Sequence, residues 1–228
     1  MNGFRKQIRE YLSGGPDREF ILTTLINGGR VIECGKDDLV ILQDIPNTVY
    51  ALGSFTDSEV IREAATVMTD NRKWFEEHVG EVGEENTLIA QNVLYAGDMP
   101  ERIVPEGTSF RLMDESDIPF LMEDYDGFDA DEAYMSRCIE RGMLCIEKNG
   151  LVAGYIGVHD EGAMGLLHIK PEYRRMHYGE ALETEMIRML MEKGYPVWGQ
   201  VVGDNTASRR LQEKLGLVWS GWYYWIFR

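Results

Sequence analysis

An extended run that enters a long amphipathic helix through a proline turn constrains the C-terminal half of this chain most. The run is "AMGLLHIK" (163–170), the turn is "PEYRRMHYG" (171–179), and Gly194 closes the helix. The apolar side chains of the helix fall on one stripe, which is typical of a helix with one buried face. The stripe consists of Tyr178, Ala181, Leu182, Met186, Met189 and Leu190. The segment therefore predicts a strand, a tight corner and a helix.

Extended and helical signals alternate on both sides of this unit. Before it, the sequence predicts a strand, two helices and two more strands, from "SFRLM", "ESDIPFLMEDY", "DEAYMSRCIERG", "MLCIEKN" and "LVAGYIGVHD". The "KNG" at 148–150 separates the last two runs as a tight hairpin turn does. After it, the sequence predicts a strand, a helix and a terminal strand, from "PVWGQVV", "NTASRRLQEKLG" and "WYYWIF".

The N-terminal part contains a second mixed set of elements. Two helices are predicted from "GFRKQIREYL" and "DREFILTTLI", and three strands from "RVIEC", "LVILQ" and "TVYALGS". "TDSEVIREAATVM" predicts a helix capped by Thr56 or Asp57, and "NTLIAQNVLYAG" predicts another strand. "GDMPERIVPEGT" holds two prolines and two glycines and is the best linker candidate. We expect an N-terminal domain over 1–97, a linker over 98–106 and a C-terminal domain over 107–228.

The charge is negative in both parts of the chain. The formal net charge is −16; residues 1–106 hold 19 acidic and 10 basic residues, giving −9, and the remainder gives −7. Neither part offers the broad basic face that binds nucleic acid or an anionic membrane. A neutral or cationic small partner fits this charge better.

Targeting signals and cysteines favour a cytoplasmic protein. The N-terminus is charged and lacks the apolar run of a secretion signal, and no segment is long enough to span a bilayer. The three cysteines, Cys34, Cys138 and Cys145, are too few and too scattered for a disulfide framework or a metal cluster. We expect reduced thiols and no metal.

The proline turn and helix start at 170–181 have the composition of an anion site. The first N–H groups of a helix lack intrahelical partners and lie at the positive end of the helix dipole, so they bind anions. Gly179 would let a ligand approach the backbone, and Lys170, Arg174 and Arg175 are a positive island in an acidic chain. The alternative is a plain corner with its arginines in solvent.

The segment "VVGDNTASRRLQEKLGL" (201–217) is the second candidate. Asp204 or Asn205 would cap a helix that Gly216 terminates. The predicted apolar face is Ala207, Leu211 and Leu215, and the predicted positive island is Arg209, Arg210 and Lys214. Taken alone, this segment also fits an ordinary capped surface helix.

Together, the two segments resemble the GNAT superfamily of acyl-CoA-dependent N-acyltransferases, over about residues 107–228. The resemblance follows the family's order of elements and its "N-x-x-S-x-x-L-x-x-K-L-G" motif at 205–216. It implies an α/β (α+β) fold with a mixed, mostly antiparallel twisted sheet flanked by helices. It also implies acetyl-CoA as the acyl donor. The residues implied to bind the donor are Ile169, Arg174, Arg175, Met176, His177, Tyr178, Gly179, Glu180, Ala181, Asn205 and Ser208.

The loop departs from the family pattern Arg/Gln-x-x-Gly-x-Gly/Ala at two points. Gly179 and Ala181 match it, but Met176 stands where Arg or Gln is usual and His177 replaces a frequent glycine. A narrower likeness is to glycine N-acyltransferase and its FR47-like relatives, which carry a degenerate GNAT-like N-terminal half. "NRKWFEEH", "QNVLYAGD" and the terminal aromatic strand are similar to that group.

The resemblance implies direct attack of a free amine on the thioester, and it leaves the acid and base open. His168, on the strand that enters the loop, is one candidate base, and Glu161 or His159 acting through water is another. Gln212 occupies the position where many GNAT enzymes place an acidic tyrosine. Tyr224 or Tyr223 on the last strand would substitute, unless the thiolate leaves without an acid. Each of these side chains also fits ordinary packing.

The acceptor is the least constrained part of the prediction. The acidic stretch 122–132 carries six carboxylates and would attract a cationic amine, although a solvated acidic loop is the more common explanation. We expect an N-acetyltransferase for a small amine or amino-acid-like acceptor, with a homodimer as one possible assembly. A catalytically weak CoA-binding or interaction module and a protein N-acetyltransferase are the alternatives.

Overall fold

A computed structural model describes residues 2–125, 130–203 and 205–228, and for residues 2–5 it describes the backbone alone. The chain forms two compact units that interleave in sequence. The first unit holds residues 1–94, 200–206 and 219–228, and the second holds 95–199 and 207–218. The predicted division at 98–106 is linear, and it stays a prediction.

The first unit is built on a mostly antiparallel sheet. Its strands are β1 (Arg30–Cys34), β2 (Leu39–Gln43), β3 (Thr48–Leu52), β4 (Thr66–Thr69), β5 (Thr87–Tyr95) and most of β11 (Val218–Phe227). They lie in the order β1-β2-β3-β4-β11-β5. Its helices are α1 (Asn2–Leu12), α2 (Ile21–Ile26), α3 (Glu59–Glu63) and α4 (Arg72–Val82). The pair β3–β4 is parallel, whereas β1–β2, β2–β3 and β4–β11 are antiparallel.

The predicted helix over 56–68 is wrong in its second half. α3 spans five residues, and Thr66–Thr69 form β4, which pairs with β3 in parallel. Val67 and Met68 are both fully buried there. Because "TVM" is rich in β-branched and apolar residues, tertiary pairing outweighs the local helix signal. Neither Thr56 nor Asp57 caps the helix; Ser58 holds that position without a side-chain hydrogen bond.

The second unit has its own sheet and four helices. The strands are β6 (Thr108–Leu112), β7 (Leu144–Lys148), β8 (Leu151–Val158), β9 (Met164–Ile169) and the first half of β10 (Val197–Val202). They lie in the order β10-β9-β8-β7-β6. The helices are α5 (Ile118–Asp124), α6 (Glu132–Gly142), α7 (Tyr178–Glu192) and most of α8 (Thr206–Leu215). Pairs β6–β7, β7–β8 and β8–β9 are antiparallel, and β10 runs parallel to β9 with Gly199 opposite Met164.

The predicted hairpin between β7 and β8 is confirmed. Asn149 and Gly150 have φ values of 53° and 75°, the left-handed pair that a two-residue type I′ turn requires. This turn matches the right-handed twist of the two strands, so the local sequence alone specifies the connection.

Helix packing in the second unit follows the predicted stripe on α7 and departs from it on α8. On α7, every residue of the predicted stripe is buried except Met189, which is half-buried. On α8, the expected core residue Ala207 is exposed, and the buried side chain is Gln212. The buried position is therefore adjacent to the predicted apolar face, of which Leu211 and Leu215 are half-buried.

The predicted mixed α/β fold with a mostly antiparallel sheet and flanking helices is confirmed in these elements. Among the described residues, no helix is both long enough and apolar enough to cross a membrane.

Candidate functional site

A β-bulge in β9 lies next to the parallel strand β10. The register moves two residues along β8, from Tyr155 to Gly157, while it moves three along β9, from His168 to Gly165. β9 therefore carries one extra residue, and Leu166 takes φ 56° within the strand. A bulky residue in this left-handed region costs conformational energy, and such residues concentrate at functional sites. The bulge redirects the backbone of β9 just before the proline turn.

The loop after β9 contains two left-handed residues immediately before α7. A single helical turn covers Pro171–Tyr173, and Arg175 and His177 then adopt φ values of 64° and 62°. Left-handed residues on both sides of Met176 can turn neighbouring N–H groups to one side, as in an anion-binding nest, and residues 175–180 are called the nest below.

The N–H groups of this nest keep their donor capacity. The first intrahelical bond of α7 runs from the Ala181 N–H to the His177 carbonyl over 3.0 Å. Among residues 130–203, the N–H groups of 175–180 donate to no backbone acceptor. These donors lie at the positive end of a 15-residue helix. The loop therefore fits an anionic group of phosphate size.

Gly179 leaves room on the inner side of this loop. A methyl group added at its Cα would lie 3.8 Å from the side chains of Ile169 and Leu211, an ordinary van der Waals distance. The protein itself therefore tolerates alanine at this position. Any need for glycine there comes from a ligand that approaches the backbone.

Side chains around the loop tie it to both neighbouring elements. The Arg174 Nε donates to the Ile169 carbonyl at 3.0 Å, which closes the loop onto the end of β9. At the helix start, Glu180 accepts from Lys214 of α8 at 2.6 Å and lies 3.0 Å from the His177 ring. The Lys214 hydrogen bond, followed by that of His177, lowers the pKa of Glu180. The exposed side chains of Arg175 and Met176 leave the nest open to solvent.

Lys170 differs from its predicted role in the positive island. Its Nζ lies 3.7 Å from a carboxylate oxygen of Asp124 and 4.6 Å from the ring centre of Phe120. α5 therefore holds this cation beside the strand end. Of the predicted basic residues, Arg174 and Arg175 lie on the loop itself.

His168 lies on β9 one register step beyond the bulge. Its ring stacks on Tyr155 with centroids 5.4 Å apart, and its Nε2 lies 3.6 Å from the Asp124 carboxylate. A carboxylate on one side and a flat aromatic face on the other hold the imidazole in one orientation. His168 is thus a packed strand residue with one charged neighbour, Asp124.

Glu161 and His159 belong to the β8–β9 turn, at the opposite end of β9 from His168. Met164 and His168 are four residue steps apart along the strand, which corresponds to about 13 Å. Tyr134 Oη lies 2.5 Å from His159 Nδ1, and burial lowers the pKa of His159 to about 4. Burial raises the pKa of the Glu161 carboxyl to about 7. The structure therefore places the predicted bases of the turn, Glu161 and His159, at a distance from the third candidate, His168.

Asp160 anchors this turn to α6. It accepts two hydrogen bonds of 2.9 Å from Arg137 and one of 2.5 Å from Arg141, with its own side chain buried. The bidentate geometry with a second arginine fixes the backbone on both sides of Asp160. Glu161 is therefore presented by a rigid turn.

The remaining predicted residues lie on other elements. Tyr224 is half-buried and stacks on Phe75, a core residue of the first unit, with centroids 4.9 Å apart. Asn205 precedes α8 and Ser208 lies in its first turn, and both are polar positions at the start of that helix. Asp204 and residues 126–129 of the acidic stretch fall outside the described residues.

Comparisons with known proteins agree with this geometry. Residues 141–226 match the family model of FR47-like protein. Among solved structures, a Drosophila protein is similar with a TM-score of 0.67 and 16% identity, over 84% of this chain and 74% of its own. A GCN5-related N-acetyltransferase-like protein from Streptococcus suis gives 0.61 and 14%, over 99% and 100%. A GCN5-related N-acetyltransferase from Kribbella flavida gives 0.59 and 13%, over 90% and 91%. A search of curated proteins finds no match.

The chain has the GNAT fold. The predicted resemblance is confirmed at this level, and the FR47-like match covers β7 to β10, α7, α8 and nearly all of β11. The narrower likeness to glycine N-acyltransferase stays a prediction.

Within this GNAT fold, sequence reasoning missed a buried polar pair behind the nest. Glu183 on α7 is 2% exposed and Gln212 on α8 is 6% exposed. A hydrogen bond joins their side chains, and burial raises the pKa of Glu183 to about 7. From the sequence, Gln212 is informative only because it occupies the position of the acidic tyrosine of many GNAT enzymes. The available signal was a glutamate inside the apolar stripe of α7, between Leu182 and Met186.

Proposed function

We propose that this protein is an N-acetyltransferase that transfers an acetyl group from acetyl-CoA to the amine of a small, amino-acid-like acceptor. The array of free backbone N–H groups over 175–180 at the start of α7 is the observation that carries the proposal. A pyrophosphate needs several donors and little side-chain specificity. Met176 and His177 therefore leave this function intact, since the backbone supplies the donors.

The residues that would hold the donor lie on the loop and on two flanking elements. Ile169 would contribute backbone at the end of β9, and the loop would bind the pyrophosphate. The loop residues are Arg174, Arg175, Met176, His177, Tyr178, Gly179, Glu180 and Ala181. Asn205 and Ser208 would bind the pantetheine arm through their polar side chains. The exposed guanidinium of Arg175 adds a positive charge for the phosphates.

The reaction needs a neutral amine and a good leaving group. The acceptor nitrogen attacks the thioester carbonyl carbon, the carbon–sulfur bond breaks, and the sulfur leaves as a thiolate while the nitrogen loses a proton. Backbone donors that orient the carbonyl, together with fixed positions for both reactants, would supply much of the rate. Among the chain's own groups, the base must be a proton acceptor near neutral pH.

Glu161 and His168 are the two proposed bases, and the structure supports each differently. A carboxyl whose pKa is raised to about 7 accepts a proton efficiently at neutral pH, and the Asp160 anchor fixes its position. His168 lies on the same strand as the bulge and is oriented by Asp124 and Tyr155. Tyr224 is the proposed acid. The thiolate can also leave unprotonated near neutral pH, because ordinary thiols have a pKa of about 8.5.

A catalytically weak CoA-binding module is the second candidate, and one observation favours it. The side chain of Gln212 is buried and hydrogen-bonded to Glu183, so no acidic hydroxyl occupies this position on α8. Such a module would use the same nest and lack turnover.

Thiol release across a panel of amines separates the two candidates. Amino acids, polyamines and short peptides are offered with acetyl-CoA, and free thiol is measured above the hydrolysis background. Acceptor-dependent release supports the enzyme. If the protein is folded and binds acetyl-CoA but no amine increases the release of free thiol, the result supports the CoA-binding module.

A further inference from the structure

An open pocket of about 500 Å³ lies at the end of α4 in the first unit. The last turn of α4, the single helical turn Glu84–Asn86 and the end of β11 form its walls. The lining residues are Glu81, Val82, Asn86, Phe227 and Arg228. None of them belongs to the proposed donor site or to the candidate bases, so the function described above leaves this pocket unexplained.

Arg228, which follows β11, uses only part of its guanidinium in the fold. Its Nη1 donates to the carbonyls of Ile61 and Ala64 at 3.1 and 3.2 Å, and these acceptors lie at the end of α3. Within the part of the chain that the structure describes, Nε and Nη2 donate to no acceptor and the guanidinium makes no ion pair. The fold therefore holds this cation in place and leaves one of its edges without a partner.

The unpaired Nε–Nη2 edge is the one with which other arginines of this protein bind carboxylates. Arg102 donates from Nε and Nη2 to the two oxygens of Glu185 at 2.9 and 2.7 Å. Arg137 donates from the same two atoms to the two oxygens of Asp160 at 2.9 Å each. Such a bidentate pair combines charge with directional hydrogen bonds. Arg228 thus keeps the geometry that recognises a carboxylate.

The other polar lining residues offer acceptors for a cationic group. Glu81 is exposed, and among the described residues it pairs neither with Arg228 nor with any other base. Asn86 donates from Nδ2 to the Val82 carbonyl at 2.8 Å, which leaves its Oδ1 as an acceptor. The pocket therefore holds one positive and one negative group that do not neutralise each other by direct contact.

Phe227 and Val82 give the pocket an apolar wall. Phe227 is 41% exposed, although its ring stacks on Trp225 with centroids 6.1 Å apart. Val82 is half-buried at the end of α4. Apolar surface beside a few fixed polar groups is the usual composition of a small-molecule site.

We propose that this pocket binds a free amino acid with an apolar side chain, in its zwitterionic form. The ligand carboxylate pairs with the Nε–Nη2 edge of Arg228, and the ligand ammonium binds Glu81 and Asn86 Oδ1. The side chain of the ligand packs on Phe227 and Val82. The proposal does not depend on acetyl transfer, because it uses none of the residues proposed for that reaction.

Ligand-detected NMR titration of the full-length protein with L-phenylalanine tests the site in the absence of acetyl-CoA. Two analogues keep the ring: 3-phenylpropionate lacks the ammonium, and 2-phenylethylammonium lacks the carboxylate. We expect phenylalanine to saturate the protein and each analogue to bind at least about 5-fold more weakly. No saturation by phenylalanine up to about 20 mM, or equal binding of all three compounds, would overturn the proposal.

Arg228→Gln removes the charge and the bidentate edge. We expect its affinity for phenylalanine to fall at least about 10-fold, as the loss of a charge-assisted pair implies. Arg30→Gln is the matched control, since Arg30 is an exposed arginine of the same unit that pairs with Asp44. Thermal unfolding establishes that both variants are folded. Unchanged affinity in folded Arg228→Gln would refute the assignment.

Glu81→Gln keeps the test decisive if Arg228→Gln fails to fold, because Glu81 is exposed and has no basic partner in the described chain. We expect it to weaken phenylalanine binding at least about 3-fold and not to weaken that of 3-phenylpropionate, which has no ammonium. Glu77→Gln, on the same helix with its side chain 57% exposed, should bind both ligands like the wild type. Equal affinity for phenylalanine in Glu81→Gln and Glu77→Gln would overturn the proposal. Failure of acetyl-CoA binding would change none of these outcomes.

Discussion

Glu183 and Gln212 are joined by one hydrogen bond between α7 and α8, and each retains one buried oxygen without a donor. These atoms are Glu183 Oε2 and Gln212 Oε1. A proton on Glu183 Oε2 would supply the donor that both oxygens lack and would close an acid–amide pair with two hydrogen bonds. Burial already raises the pKa of Glu183 to about 7, so the protonated form persists up to neutral pH. In the protonated form, two hydrogen bonds therefore join α7, the helix that begins at the nest, to α8.

The stability of the protein should therefore fall as pH rises through this range. The folded-state pKa of Glu183 is about 7 against 4.5 in the unfolded chain, so the folded state binds the extra proton. Protonation of Glu183 contributes about 3 kcal/mol to the free energy of unfolding. This contribution is complete below about pH 4.5, is lost between pH 4.5 and 7, and is absent above pH 7. We expect Glu183→Gln, which keeps both hydrogen bonds without a proton, to remove this part of the slope. Denaturant unfolding from pH 4.5 to 8.5 measures it.

Glu192→Gln is the matched control for that experiment, because Glu192 lies on the same helix with its side chain 62% exposed. It should retain the wild-type slope. A slope that is equal in wild type and Glu183→Gln would contradict the acid–amide pair.

Replacement of Arg175 by glycine should stabilise the protein. Arg175 has φ 64°, a conformation that costs a non-glycine residue about 1 kcal/mol. Its side chain is exposed, so little contact is lost. Arg175→Gly should thus raise the free energy of unfolding by about 0.5–1 kcal/mol, partly offset by entropy of the unfolded chain. Arg175→Ala removes the same side chain and keeps the unfavourable φ, so it should give no gain. Equal stability of the two variants would show that the loop is not strained there.

Asp160→Asn should destabilise the second unit. The change leaves Arg137 and Arg141 beside a buried neutral amide in place of a carboxylate. Removing one partner of such a network costs about 3 kcal/mol. Asp114→Asn, in an exposed capping position, should cost about 1 kcal/mol or less. Chemical denaturation compares them, and a smaller effect for Asp160→Asn than for Asp114→Asn would refute this anchor.

The pH dependence of turnover distinguishes the two proposed bases. If Glu161 is the base, kcat should rise with pH through an apparent pKa of about 7, because the ionised carboxylate is the active form. Glu161→Gln should then lower kcat about 100-fold, while His168→Gln changes it much less. The reverse order would assign the role to His168. An equal, small loss in both would remove both residues as bases.

Local sequence sufficed wherever short-range signals determine structure. The spans of β1 and β2 and the hairpin at 149–150 follow from β-branched residues and turn chemistry. The strand β4 was missed because its pairing with β3 is a long-range contact that overrides a helix-like pattern.

The candidate site likewise combines features that the local sequence predicts with features that depend on long-range contacts. The glycine and the basic residues that predict an anion site before α7 are visible in the composition of the turn, but the left-handed Arg175 and His177 are not, since glycine is the usual marker of that conformation. The bulge at Leu166 depends on the register between two strands, and the burial of Gln212 depends on a partner 29 residues away, at position 183. Neither leaves a signal in its own segment of the sequence, and the one trace of the polar pair is Glu183 inside the apolar stripe of α7.

Calorimetric titration with acetyl-CoA of the wild type, Gly179→Glu and Gly80→Glu tests the central claim most directly. Gly179 lies within the nest, in the first turn of α7, whereas Gly80 lies exposed on α4 with open space around it, so the two variants add the same charge in different places. We expect the wild type and Gly80→Glu to bind acetyl-CoA alike and folded Gly179→Glu to show no measurable binding. Binding that is absent in folded wild type, or equal in all three proteins, would contradict a donor site at the start of α7.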